Sequence, residues 1–156
     1  MAKWGSADFR QLKRMQKKME KLAQVDFEKF CEQAAKELAA RLLSKVIRRT
    51  PVDDGVLRRG WTAATNADAQ NSGKTNVTAY AESLSIRKTG NVYEVEIINP
   101  VNYASYVEFG HRTANHAGWV NGRFMLTISE QELEAQAPKI LENKLTKFLG
   151  GVFGGD

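Results

Sequence analysis

Apolar residues at helical spacing predict two helices in the first third of the chain. The first runs from about Ser6 to Ala23, with Ser6 as its N-cap. Its apolar side chains share one face of a helical wheel: Phe9, Leu12, Met15, Met19 and Leu22. The second runs from Asp26 to Arg49 and ends at Thr50, because Pro51 disfavours the helical conformation of the residue before it. Its core stripe is Phe27, Phe30, Cys31, Ala34, Leu38 and Leu42, and Leu43, Val46 and Ile47 then turn toward a second surface.

Alternation of apolar and polar residues predicts a small antiparallel sheet in the middle of the chain. Residues 83–88 and 92–98 alternate on either side of a turn at Thr89-Gly90-Asn91, which is typical of a β-hairpin with one buried face. Residues 57–64 suggest a further short strand around Trp61. Residues 66–78 have no apolar period and predict a flexible surface loop.

The last third predicts a short helix and then a long one. The short helix spans Tyr103 to Phe109, with Gly110 as a left-handed residue after its end. Pro138 either kinks the long helix or starts a new one, and residues 150–156 predict a flexible tail. The apolar positions of the long helix are Phe124, Leu126, Leu133, Ala137, Ile140, Leu141, Leu145 and Phe148.

These elements predict one α+β domain over residues 1–156. A basic amphipathic helix over residues 1–24 precedes an α+β body over residues 25–150. In this fold a long N-terminal amphipathic helix, or a helical hairpin, is followed by a small antiparallel sheet with a β-hairpin. A C-terminal helix packs on the sheet.

Positive charge is concentrated at the start of the chain. Residues 1–50 hold 13 Lys and Arg against 6 Asp and Glu, a net of +7, and the remainder holds 10 against 12, a net of −2, which together give the chain's +5. Six basic residues form a stripe opposite the apolar face of the first helix: Arg10, Lys13, Arg14, Lys17, Lys18 and Lys21. The stripe indicates contact with phosphates or with an acidic protein surface, although a solvated helix face stays an alternative. Because Asn and Gln are scarce on it, base-specific recognition is not expected.

Candidate chemistry is sparse, and we expect neither an enzyme nor a cofactor or metal. Glu108, His111 and His116 fit no helix-borne metalloprotease pattern, because Gly110 interrupts the helix and the Glu precedes both His residues. Cys31 lies on an apolar helical face, as a small buried side chain would. No apolar run approaches the about 20 residues of a membrane span, and the first residues lack the apolar core of a signal peptide, so we expect a protein kept in a cytoplasm.

Residues 50–58, 103–112 and 119–126 carry motifs that resemble those of a family of tailed-phage tail, neck and head–tail joining proteins. Residues 50–58, TPVDDGVLR, are similar to the family's T-P-V-D-T-G-x-L-R segment, with Asp54 in place of the usual Thr. Residues 103–112, YASYVEFGHR, resemble its Y-A-x-Y-V-E-x-G-H-R segment, and residues 119–126 resemble its W-V…G-R-F-M-L ending. Residues 66–78 look like an insertion, onto which no family function is carried.

The resemblance implies a structural virion protein of the phage neck, a ring-forming adaptor that joins tail to head (tail completion or head–tail connection), and tail-completion, head-closure and tail-terminator roles all stay open. The implied assembly is a homo-oligomeric ring, most commonly of six subunits, and the implied partners are connector, head-closure, tail-terminator or tube proteins. The implied location is the neck of a virion assembled in the host cytoplasm. No membrane contact is expected, and non-specific contact with DNA stays open. The turn motif of the first segment is Thr50, Pro51, Asp53 and Gly55. A ring needs two different patches that meet head to tail. The residues expected at or near such a contact are Tyr103, Tyr106, Phe109, His111, Arg112 and Trp119.

Two alternatives stay open from the sequence. The aromatic residues could pack in the core instead of at an interface. The chain could also be a small DNA-binding accessory protein that uses the basic N-terminal helix.

Overall fold

A computed structural model of the chain describes residues 24–71, 73 and 76–153. The predicted helix over residues 6–23 lies outside these ranges, and so does the basic stripe that it carries. The described elements are, in chain order, α1 (Gln24–Arg49), α2 (Val56–Gly60), α3 (Asn66–Asn71), α4 (Val77–Ser83), β1 (Arg87–Thr89), β2 (Val92–Glu94), α5 (Ala104–Phe109), β3 (Gly110–Arg112), β4 (Trp119–Asn121) and α6 (Met125–Phe153).

Two long antiparallel helices, α1 and α6, form the frame of the fold. Near the start of α1 the Phe30 ring stacks on Phe148, with 4.7 Å between ring centroids. Near its end Lys45 Nζ lies 3.3 Å from a carboxylate oxygen of Glu132, which also pairs with Arg49. The predicted interruption at Pro138 does not occur, because α6 continues through this residue to Phe153.

The apolar stripe of α1 is buried on more than one side. Leu42, Leu43 and Val46 have no exposed surface, and α4 packs on α1 in addition to α6. The drift of apolar positions around the end of this helix therefore predicted its second contact surface correctly. The helix begins at Gln24 and ends at Arg49, within two residues of the predicted bounds.

The predicted β-hairpin is present but short. β1 and β2 pair antiparallel from Arg87↔Glu94 to Thr89↔Val92, with Gly90 at a φ of 61° in the turn. Val95 and Ile97 follow β2 without pairing to another strand, yet both side chains are buried. The alternation of apolar and polar residues therefore predicted which side chains are buried, but it overestimated the length of the strand. A second hairpin, β3–β4, pairs Gly110↔Asn121 to Arg112↔Trp119 and was not predicted.

The prediction of a strand around Trp61 is wrong. Residues 56–60 form the short helix α2, which begins after Gly55 at a φ of 83°. The Asp54 side chain accepts a hydrogen bond from the Val56 amide at 3.0 Å and so turns the chain into the helix.

The prediction of a loop over residues 66–78 is wrong at both ends of the segment, where α3 and the start of α4 are helical. The polar residues taken as loop signals cap these helices. Thr65 Oγ1 accepts from the Asp68 amide at 3.1 Å, and Asn76 Oδ1 accepts from the Ala79 amide at 3.1 Å. The predicted tail is likewise helical as far as Phe153.

The predicted α+β fold class is confirmed, with long helices at both ends of the described chain and two small antiparallel hairpins between them. The main partner of α6 is α1. Across the ranges that the structure describes, no helix has the length and apolar character that a membrane crossing requires.

Candidate protein–protein interface

The turn motif ties the end of α1 to α2. The buried Thr50 hydroxyl donates to the Val46 carbonyl at 2.6 Å and accepts from Trp61 Nε1 at 2.8 Å. Arg58 Nε donates to the Thr50 carbonyl at 3.0 Å, which closes the turn from the other side. This segment therefore has a structural role, because the buried Thr50 hydroxyl and Trp61 indole N–H both have hydrogen-bond partners.

The outer side of the same turn is open to solvent. Pro51, Val52, Asp53 and Asp54 are exposed. Burial raises the pKa of Tyr103, and the nearby carboxylates of Asp54 and Asp53 raise it further. The turn motif and the second family-like segment, far apart in sequence, are thus neighbours at the end of the molecule where α1 finishes.

Glu108 fixes the start of α6. Its side chain is only 6% exposed. One carboxylate oxygen accepts from the Leu126 amide at 2.9 Å, and the other accepts from the Thr127 amide at 2.9 Å and the Thr127 hydroxyl at 2.7 Å. A carboxylate at a helix N-terminus satisfies free amide groups and stabilises the positive end of the helix dipole. The sequence offered Glu108 only as a rejected metal ligand, and its capping role was missed.

Two glycines let the chain cross itself beside Glu108. A Cβ on Gly110, whose φ is 89°, would lie 2.5 Å from the Val120 carbonyl oxygen. A Cβ on Gly122 would lie 2.3 Å from the Glu108 carbonyl oxygen. The predicted positive φ at Gly110 is confirmed, but its ψ of 172° is not that of a left-handed helical residue. The chain opens here into the β3–β4 hairpin instead of closing a simple helix cap.

Large apolar side chains are exposed around this crossing. Phe109 is 63% exposed, Trp119 59% and Tyr106 58%. We call the group the aromatic surface, and its members are Tyr103, Tyr106, Phe109, Trp119, Val120, Phe124 and Ile128. Tyr106 and Phe109 on α5 and Tyr103, the residue that precedes this helix as its N-cap, are spaced three apart, which places them along one side of the helix.

The β3–β4 hairpin presents apolar side chains on both of its faces. His111 pairs with Val120, and the His111 ring lies 5.8 Å from the Tyr106 ring. On the other face Arg112 pairs with Trp119, whose ring edge lies 3.0 Å from the position a Gly110 Cβ would take. Because both faces carry exposed residues, the hairpin projects from the body.

The exposed area is large for an isolated subunit. Aromatic side chains bury about 150–250 Å² each when covered, and about half of each of the five aromatic rings is open, which gives roughly 500 Å². This area is divided between α5 and the two faces of the β3–β4 hairpin, and exposed apolar area of this order on a monomer often marks an interaction site.

The structure brings the six predicted interface residues together on α5 and the β3–β4 hairpin. The four aromatic ones are exposed, which rules out the alternative that they pack in the core. Their contact with a neighbouring subunit stays a prediction. Val120, Phe124 and Ile128 were not foreseen as part of the same surface.

Other candidate chemistry has a structural explanation. Burial raises the pKa of the Cys31 thiol to about 11, so the thiolate is strongly disfavoured. His111 Nδ1 lies 2.8 Å from the Arg112 carbonyl oxygen. Among residues 24–71, 73 and 76–153 no group of three or more His, Cys, Asp or Glu side chains is arranged to hold a metal ion.

The fold and this surface define a small α+β subunit that presents a projecting aromatic hairpin at one end. The model of the family "Bacteriophage HK97-gp10, putative tail-component" matches residues 13–110, more than half of the chain. The protein therefore belongs to the HK97-gp10 family of phage tail components, as the resemblance implied. The matched range includes the turn motif and ends at Gly110, so most of the β3–β4 hairpin and all of α6 lie beyond it. No curated protein and no solved structure matches the chain.

Proposed function

We propose that this phage tail component is a ring-forming adaptor of the neck, which joins tail to head during tail completion in the virion. The observation that carries the proposal is the aromatic surface, which is exposed in the single subunit. Tyr and Trp are the residue types that dominate interface energetics, and here they stand on a helix and a paired hairpin. A subunit of a larger particle needs such a surface to meet its neighbours.

Hydrogen bonds hold the aromatic surface in place before a partner binds, which favours a binding role. Glu108 fixes the start of α6, and the backbone amide of Phe124 donates to the Glu108 carbonyl at 3.0 Å. The hairpin base is therefore held by hydrogen bonds on both sides before any partner arrives, which lowers the entropy cost of binding.

The proposal includes the absence of catalytic activity. Glu108, the one buried carboxylate of the described residues, bonds to the α6 amides, and the buried Cys31 thiol is held in its protonated form. These two groups act in the fold instead of on a substrate.

Genetic complementation tests the adaptor role. A phage lacking this gene product is supplied with a variant in which Tyr106, Phe109 and Trp119 are all changed to Ser. We expect this variant to keep the wild-type unfolding temperature, since the three side chains are exposed, and to leave filled heads and tails unjoined.

The matched control changes Val92 and Ile98 to Ser, because these are exposed apolar residues outside the aromatic surface. The control should restore wild-type yields of infectious particles. Wild-type yields from the triple variant as well would contradict the proposal.

A further inference from the structure

The aromatic surface is uncovered by the elements that the structure describes. α5 and the β3–β4 hairpin contact each other, α5 also contacts α6, and their large apolar side chains remain open to solvent. Among the described residues the other exposed large apolar side chains are single ones, Val52, Val92 and Ile98. Among the described residues, the exposed apolar side chains are therefore clustered around α5 and on both faces of the β3–β4 hairpin.

Residues 6–23 carry a predicted apolar face that needs a surface to bind. Their sequence predicts a helix with five large apolar side chains on one face, from Phe9 to Leu22. They precede α1, whose exposed positions are polar: Lys29, Glu32, Gln33, Arg41, Ser44 and Arg48. The adjacent outer side of α1 therefore offers the apolar face no matching surface.

The aromatic surface and Gln24, which directly follows residues 6–23 in the sequence, lie at opposite ends of α1. The surface lies where α1 ends, since Tyr103 is close to Asp54 and Ile128 is one turn before the Glu132 carboxylate that pairs with Arg49. Gln24, the first described residue, is at the other end of α1.

The predicted helix is too short to join the two ends within one subunit. α1 has 26 residues and is about 39 Å long, whereas a helix over residues 6–23 is about 27 Å long. Folded straight back along α1, that helix would stop short of the aromatic surface of its own chain. The length of α1 does not prevent that helix from reaching the same surface on a neighbouring subunit.

Charge also suits this pairing. Residues 6–23 hold six basic and two acidic residues, and Asp53 and Asp54 are exposed beside Tyr103 at the edge of the surface. Complementary charge at the rim of an apolar contact orients the partners. Lys13 and Lys18, at the two borders of the basic stripe, lie beside the apolar face and would meet this rim, while the rest of the stripe would stay on the outer side of the bound helix.

We infer that the aromatic surface of one subunit binds residues 6–23 of the next subunit, and that this contact is the head-to-tail interface of the ring. The inference rests on the proposed ring and names the two patches that form it. Because the two patches differ, repetition of the contact gives a head-to-tail assembly, which is a ring where the rotation between subunits closes, instead of a symmetric dimer.

Disulfide trapping between two full-length variants, each with one introduced cysteine beside the native Cys31, tests this contact. Met15→Cys, on the apolar face of residues 6–23, is mixed with an epitope-tagged Phe109→Cys protein at high concentration and oxidised. The native Cys31 does not interfere, because it is buried and its thiol pKa is about 11. The matched control is Lys17→Cys, on the basic stripe, mixed with the same partner.

We expect mixed dimers of Met15→Cys with Phe109→Cys at least tenfold more abundant than those of the control pair. A double variant carrying Met15→Cys and Phe109→Cys should form a ladder of covalent oligomers. A double variant that closes only an internal disulfide would overturn the inference, because each segment would then cover its own surface. Homodimers of Phe109→Cys as the main product, or no disulfide in either mixture, would overturn it as well.

The result is separable from the adaptor role. If mixed dimers form in the trapping experiment but a phage that lacks the protein still joins heads to tails normally, the contact between subunits is supported and the neck function is refuted. If that phage leaves heads and tails unjoined but no mixed dimers form, the neck function is supported and the proposed contact is refuted.

Discussion

Removal of the Glu108 carboxylate is the sharpest test of how the aromatic surface is supported. Glu108→Ala takes away all three acceptor contacts and leaves the partly buried amides of Leu126 and Thr127 without their partner. Glu108→Gln keeps the shape and one carbonyl oxygen, but it turns an NH₂ group toward an amide that also donates. The two variants therefore separate the loss of charge from the loss of packing.

The magnitude follows from the contacts. A hydrogen bond to a charged group contributes about 1.5–3 kcal/mol, and loss of a helix cap costs about 0.5–2 kcal/mol. The three contacts act on one helix end and are not additive, so we expect about 3 kcal/mol for Glu108→Ala and about 2 kcal/mol for Glu108→Gln. For a chain of this length, about 3 kcal/mol lowers the unfolding temperature by roughly 6–12 °C.

Urea and thermal unfolding, followed by far-UV circular dichroism, measure these changes. Glu94→Gln is the matched control, because Glu94 is an exposed glutamate on β2, and it should change stability by less than about 0.5 kcal/mol. If Glu108→Ala also stayed within about 0.5 kcal/mol of the wild type, the capping role would be refuted.

Three further predictions follow from other contacts. Trp61→Phe should lower the free energy of unfolding by about 1–2 kcal/mol in urea, since the buried indole donates to the Thr50 hydroxyl at 2.8 Å; an unchanged midpoint would show that this bond does not stabilise the turn. Gly110→Ala should cost at least about 2 kcal/mol and increase amide exchange in the β3–β4 hairpin, because its φ is 89° and its Cβ would clash with a carbonyl; Gly150→Ala, with nothing within 4 Å, is the control and should not destabilise the protein. Arg49 and then Lys45 hold the pKa of Glu132 below its ordinary value of 4.5, so the carboxylate contributes stability above about pH 4.5 that is lost as the pH falls through the lowered value. The Glu132→Gln variant should therefore show a flatter stability profile between about pH 5 and pH 3, and a profile parallel to the wild type would contradict the pairing.

The sequence predicted the long elements well because their apolar residues report burial directly. α1 keeps helical spacing over its whole length, and its end at Thr50-Pro51 follows from the restriction that proline places on the residue before it. The short elements were harder, since Val56, Leu57 and Trp61 satisfy a strand or one helical turn equally well over so few residues. Thr65 and Asn76 were assigned to a loop, although the same side chains cap helices.

The aromatic surface was only partly predictable. The β3–β4 hairpin has no buried face, so it leaves no alternation of apolar and polar residues to find. The capping role of Glu108 joins residues 18 and 19 positions apart, and the Thr50–Trp61 bond joins residues 11 apart. Neither is visible in local spacing, because both depend on how the elements meet in the folded chain.

The basic stripe gives the alternative function a separate test. If DNA contact through residues 6–23 were the main activity, Lys13, Lys17 and Lys21 changed together to Glu should abolish salt-dependent binding of duplex DNA and leave particle joining intact. The adaptor account expects the same variant to stay folded and to impair joining.

Electron microscopy of particles made without this protein tests the adaptor role most directly. Lysates of a phage carrying a stop codon in this gene are imaged, and filled heads, free tails and joined virions are counted with and without the wild-type protein supplied in trans. The adaptor account predicts filled heads and complete tails that remain separate, with joining restored by the supplied protein. Joined virions in wild-type numbers without the protein would contradict it.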